Sequence, residues 1–224
     1  MELHPLFMFR TLLFILTLSA ACNLDEKPKK INPASVSYIE TKKNNRQPYK
    51  TILLNAREFK QQHIASDSIE ILYSRFIVDS IIPYWYGTKW NFYGTTEVPQ
   101  TGSIACGYFV TTVLRDAGLR INRIKLAQAA SEEMMKIVCH KKSMKRFRHT
   151  PMQDFVNDLR QLENGLYIIG LDFHTGFIYH ENEKLLFIHA SYQTPQIVIQ
   201  QNVHESGILA ASKYKVVGKV NLLN

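Results

Sequence analysis

Cysteine is scarce in this chain, with Cys22, Cys106 and Cys139 the only three among 224 residues. That count excludes a disulfide-stapled scaffold, which needs several pairs. No Cys or His pair has the spacing of structural zinc, so neither metal nor organic cofactor is expected. Carboxylates are also few, 19 against 27 Lys and Arg, giving a formal charge of +8 and a pI near 9.3. Much of the excess lies in Lys136, His140, Lys141, Lys142, Lys145, Arg146, Arg148 and His149. Such a run reads first as a solvated face and next as a contact for an anionic partner such as a wall polymer or lipid headgroup. No nucleic-acid-binding motif accompanies it, and no nucleic-acid partner is expected. Internal repeats are absent, and the apolar run Thr11 to Leu18 is too short to span a bilayer.

What is present suffices for one globular core, since 46% of residues are hydrophobic and 11% aromatic. Arg10, the short apolar run and Ser19-Ala20-Ala21 before Cys22 form a leader. Small residues ending directly in cysteine resemble the lipobox of bacterial lipoproteins. That resemblance implies a signal peptide over 1–21, lipidation of Cys22 and an anchor in a bacterial envelope, facing periplasm or exterior; ordinary secretion is the alternative. Residues 22–47 are polar and read as a flexible tether, and 48–224 as the folded domain.

Within that domain, Ser66 to Ile82 has helical spacing and is expected to end before Pro83. The aromatic run Tyr84 to Gly94 is either irregular core or a cleft wall. Further helices are expected over Cys106 to about Ala117, closed by Gly118, over Ser131 to Val138, and over Met152 to Leu162 behind Thr150-Pro151. From Gly165 the pattern turns to strands: Leu166 to Leu171, Phe173 to Tyr179, Lys184 to Ala190, Gln196 to Gln200 and Tyr214 to Val220. The expected class is α+β, with N-terminal helices and the helix of Cys106 packed on a C-terminal antiparallel sheet.

Cys106 is the candidate nucleophile. It stands where the turn residues Gln100 to Ser103 give way to a helix, and unpaired N–H groups at a helix start favour thiolate. A disulfide to Cys139 is the competing expectation, disfavoured because the two lie in separate segments. Among eight histidines, His174 and His189 stand on neighbouring strands, and a hairpin centred near residue 181 or 182 places them almost opposite. A thiol attacking a carbonyl needs an imidazole to move its proton, and that imidazole needs a polar group to orient it. Cys106, His174 and His189 can fill these roles in order.

Tyr86-Gly87, Cys106 at a helix start, His174-Thr175-Gly176-Phe177-Ile178 and Phe187-Ile188-His189-Ala190 together resemble the NlpC-type cell-wall cysteine peptidases. Leu162 to Tyr167 and Ser212 to Val217 resemble that family's flanking strands, so the likeness spans roughly Tyr84 to Val220. The resemblance implies a papain-like α+β domain that hydrolyses amide bonds in peptidoglycan stem peptides, with Cys106 as nucleophile, His174 as base, His189 as orienting group and Tyr86 on the oxyanion or substrate side. The sequence departs from the family at Ala105 and Gly107, where Asp and Ser are usual, and at Leu166. An amidase or acyltransferase acting on another amide or lipid, and a cell-wall-binding lipoprotein without turnover, are the alternatives.

Overall fold

Every position of strand β4 (Gly165–Leu171) is buried, in a computed structural model that describes residues 48–63 and 68–223. The leader, Cys22 and the tether fall outside those residues. Continuous burial follows from the sheet being covered on both faces, which is why the segment reads as an apolar run without alternation. Its neighbours are β3 (Lys145–Arg148), β5 (Thr175–Glu181), β6 (Lys184–Ala190), β7 (Val198–Asn202) and β8 (Tyr214–Lys219). They assemble in the order β3-β8-β4-β5-β6-β7, antiparallel throughout. A short parallel pair, β1 (Lys89–Trp90) and β2 (Ser103–Ile104), forms a second small sheet that is bridged to the chain entering β7 through Lys89 and Ile197.

One face carries the larger core. Against it pack α1 (Tyr49–His63), α2 (Ile69–Phe76), the helix of Cys106, α4 (Cys106–Asp116), α5 (Arg123–Ala127) and α6 (Ser131–Val138). The opposite face is covered by α7 (Met152–Arg160) and α8 (Gly207–Ala211) over Phe147, Ile169, Ile178 and Phe187. The fold is thus mixed helix and antiparallel sheet, as the sequence pattern implies, but helices lie on both sides of the sheet.

Three differences from the sequence reading have local causes. The helix after residue 68 does not end before Pro83. A π-helical turn, Ile77–Ile81, resets the hydrogen bonding, and Pro83 falls in the first turn of a new short helix, α3 (Ile82–Trp85), where its missing N–H is not needed. The basic stretch 136–149 divides into the end of α6, a 3₁₀ turn and the edge strand β3, with Phe147 buried between exposed basic neighbours. Part of its charge is paired, Lys136 with Glu133 and Arg146 with Glu132. Edge position explains the basic residues, since charge on an edge strand discourages further pairing. Finally, α1 and α8 have no strong periodic signal and are held mainly by tertiary contact.

The joint between α4 and the sheet is Phe109. Fully buried, it meets Phe177 of β5 edge-on at 5.8 Å and Trp85 of α3 at 6.4 Å. Phe109→Ala should lower stability by about 3–5 kcal/mol. The check is a shift of the urea midpoint with the slope unchanged, which separates lost packing from a changed unfolded state.

Candidate active site

Cys106 is the first residue of α4, following Ala105 in extended conformation. The next residue must be small: a Cβ on Gly107 would lie 2.4 Å from the carbonyl oxygen of Ala127 at the end of α5. Only glycine fits at this position without displacing the end of α5. Cys106 is a half-buried free thiol, and Cys139 is free and buried with Sγ 3.4 Å from the Gly218 carbonyl. The competing disulfide is not formed.

The electrostatics of the sulfur correct one expectation. Burial raises the Cys106 pKa, and this outweighs the backbone N–H groups of Thr175, Gly107 and Cys106 itself, which act to lower it. Desolvation penalises the charged form more than the helix terminus rewards it, so the resting group is a thiol.

His174 precedes β5, and its Nε2 lies 2.9 Å from Nδ1 of His189 with the rings at 85°. The pairing is diagonal. In the β5–β6 register Phe177 faces Ile188 and Glu181 faces Lys184, which puts Gly176, two residues after His174, beside His189. The hairpin is centred one residue later than a directly opposite placement requires, which shifts the register by two, yet the same-face diagonal is within imidazole reach. Gly176 makes that possible: a Cβ there would lie 2.8 Å from Cβ of His189 and from the Phe187 ring. His189 is fully buried and stacks on Phe187 at 4.0 Å. Tyr192 stands edge-on to His174 at 5.2 Å, with Trp90 beyond it at 6.2 Å.

Helix α4 packs on the Phe177 face of the sheet, whereas His189 shares the Phe187 face. The two sets come together only at the sheet end, where the bend between β4 and β5 carries Phe173 and His174. There Cys106, His174, Phe173, Ala127, Ala130 and Tyr214 line one cleft of about 570 Å³. No hydrogen bond joins the sulfur to His174 across it; such contacts often tighten only when substrate is bound. Phe173 is almost wholly exposed on the rim. Glu132, also in the wall, accepts from Tyr214 Oη at 2.5 Å and pairs with Arg146. Among the described residues no cluster of three His, Cys, Asp or Glu could hold a metal.

Tyr86 is placed elsewhere. It is buried in the main core, does not line this cleft, and donates its hydroxyl to Gln200 Oε1 at 2.7 Å. The aromatic run is divided likewise: Trp85 is core, while Phe92 and Tyr93 are exposed. Sequence reasoning missed Gln201, whose amide nitrogen lies 3.3 Å from Nε2 of His189. A glutamine on an amphipathic strand carries no local signal; only the β6–β7 register, with Phe187 opposite Gln201, brings it to the ring.

Burial lowers the pKa of His174 to about 4, and burial together with the neighbouring His174 lowers that of His189 well below its usual value. Both rings are neutral at pH 7. On acidification from 6.5 to about 4, the unfolded chain binds protons that the folded chain refuses, so stability is lost through that window. His174 alone accounts for about 3 kcal/mol of the full effect. His174→Asn should flatten this part of the stability profile, read by urea unfolding at a series of pH values; an unchanged slope would contradict the assignment.

No protein-family model, curated protein or solved structure matches the chain.

Proposed function

We propose that this chain is a cysteine hydrolase of amide bonds, a divergent papain-like domain of the NlpC type, acting on the stem peptides of peptidoglycan. The observation that carries the reading is the shared cleft, which brings a thiol at a helix start to the same space as His174, whose ring is hydrogen-bonded to the buried His189 behind it. Export and anchoring through Cys22 rest on the leader and would hold the domain beside this substrate.

The chemistry follows from which nitrogen is free. Nε2 of His174 is engaged by His189, leaving Nδ1 for the thiol. A neutral imidazole beside a neutral thiol works as a general base. As Sγ attacks the carbonyl, its proton passes to Nδ1. The imidazolium then returns it to the leaving amine, and water activated by the same nitrogen hydrolyses the thioester. Unpaired backbone N–H groups at the start of α4 suit the developing oxyanion.

This sequence needs Nδ1 unprotonated, so Nε2–H of His174 must donate to His189 Nδ1, and Nε2–H of His189 must find an acceptor. Gln201 provides it when its amide is turned to present Oε1. With the nitrogen facing the ring, the polarity of the chain reverses and Nδ1 of His174 carries the proton. Gln201 is therefore a positioning residue. Gln201→Leu should lower kcat about tenfold or more with little change in KM. Gln201→Glu should restore much of the rate and move the acid limb of the pH profile upward, because a carboxylate favours the protonated imidazole. A purely structural glutamine would leave that limb where it was.

Release of new amino groups from purified peptidoglycan tests the activity. Cys106→Ala and Cys106→Ser should abolish it while retaining the fold, and mass spectrometry should find stem-peptide fragments. Other released amines would instead indicate an amidase or acyltransferase. The raised thiol pKa favours a second reading, a wall-binding domain without turnover. In that case the chain would co-sediment with peptidoglycan, and neither it nor the variants would release amines.

A further inference from the structure

At the far end of the nucleophile helix lies a second, larger cavity of about 820 Å³. Its lining includes Arg57 and Lys60 of α1, Arg115 of α4, and Arg120 in the loop beyond. It shares no lining residue with the cleft of Cys106. Because α4 has 11 residues, the two sites stand about 16 Å apart along its axis.

The cations in this cavity are unequal. Arg115 is committed: its Nη2 lies 2.8 Å from Asp116 Oδ1 and its Nη1 reaches Glu97. Those ties hold its guanidinium in place. Among the described residues, Arg57, Lys60 and Arg120 have no carboxylate partner and no acidic side chain lines the cavity. Crowding has a consequence on Lys60, whose pKa is lowered by burial and then by Arg120. The floor is apolar, made by Leu119 and by Tyr73, whose hydroxyl is already spent on the Ala117 carbonyl at 2.7 Å. Three uncompensated cations facing a common space repel one another, and a multiply charged anion between them removes that cost. Two arginine forks match phosphate oxygens in pairs, and a lysine adds a point charge.

We propose that this cavity is a binding site for a phosphate-bearing ligand, separate from the catalytic cleft. Its size accommodates an organic group attached to the phosphate, with Tyr73 and Leu119 beneath the apolar part and Arg57, Lys60 and Arg120 around the charge. The inference does not depend on the activity of Cys106.

Calorimetric titration of the full chain with inorganic pyrophosphate, and flotation with phosphatidylcholine vesicles containing or lacking phosphatidylglycerol, test it. Arg57 and Arg120 are exposed, so Arg57→Gln/Arg120→Gln should fold normally, as circular dichroism would verify. Lys60→Gln serves as an independent variant. Pyrophosphate should bind the wild type, and the double variant at least tenfold more weakly, with sodium chloride at equal ionic strength giving no such effect. Binding to phosphatidylglycerol vesicles alone, lost in the same variants, would identify the phosphate as a lipid headgroup. Binding of neither probe, or binding that the variants leave unchanged, overturns the proposal. Cys106→Ala should bind like the wild type, which keeps this result distinct from the fate of the hydrolase reading.

Discussion

The packing of Phe109 against Phe177 is the contact on which the site depends. It joins the helix that begins at Cys106 to the strand that begins just after His174, and it does so in the dry middle of the larger core. A thiol on one element and an imidazole on another keep a constant separation only if the elements cannot slide. Aromatic packing supplies this from within the apolar core. Trp85 braces the same ring from α3, so three elements share one joint.

Burial on both faces of the sheet carries a cost at the end where His174 and His189 stand, since it places two imidazoles in a dry environment. The chain meets that cost by keeping both rings neutral and in contact with each other, with Phe187 stacked beneath His189 and Gln201 closing the line. Desolvation also works on the sulfur, raising its pKa in spite of the helix start. Both effects act in the same direction. The thiol and the two imidazoles are therefore uncharged at neutral pH.

Glycine decides how closely these parts approach. Gly107 lets the end of α5 press against the nucleophile turn, and Gly176 lets His189 lie across the start of β5. The opposite end of α4 obeys a different logic: there Arg115 is pinned by two acids while its basic neighbours are left uncompensated. One helix carries an uncharged thiol beside a neutral imidazole at its start and a cavity lined by four cations at its end.

Local pattern by itself determined much of the secondary structure. The helix opening at Cys106, the helix over Ser131–Val138 and the strand over Lys184–Ala190 all occur where periodicity places them, because each has one strongly apolar face and clear turn residues at its ends. Cys106 and the two histidines could be singled out for the same reason: their residue types are chemically distinctive and stand at element ends. Tertiary structure alone decided the rest. Strand register set the His174–His189 pair on a diagonal and brought in Gln201, which has no signature of its own. It sent Tyr86 into the core and drew Arg57, Lys60 and Arg120 from distant segments around one cavity. Periodicity records which face of an element is apolar. Which faces meet, how deeply a charge is buried, and which side chains share a space depend on contacts between residues far apart in the chain.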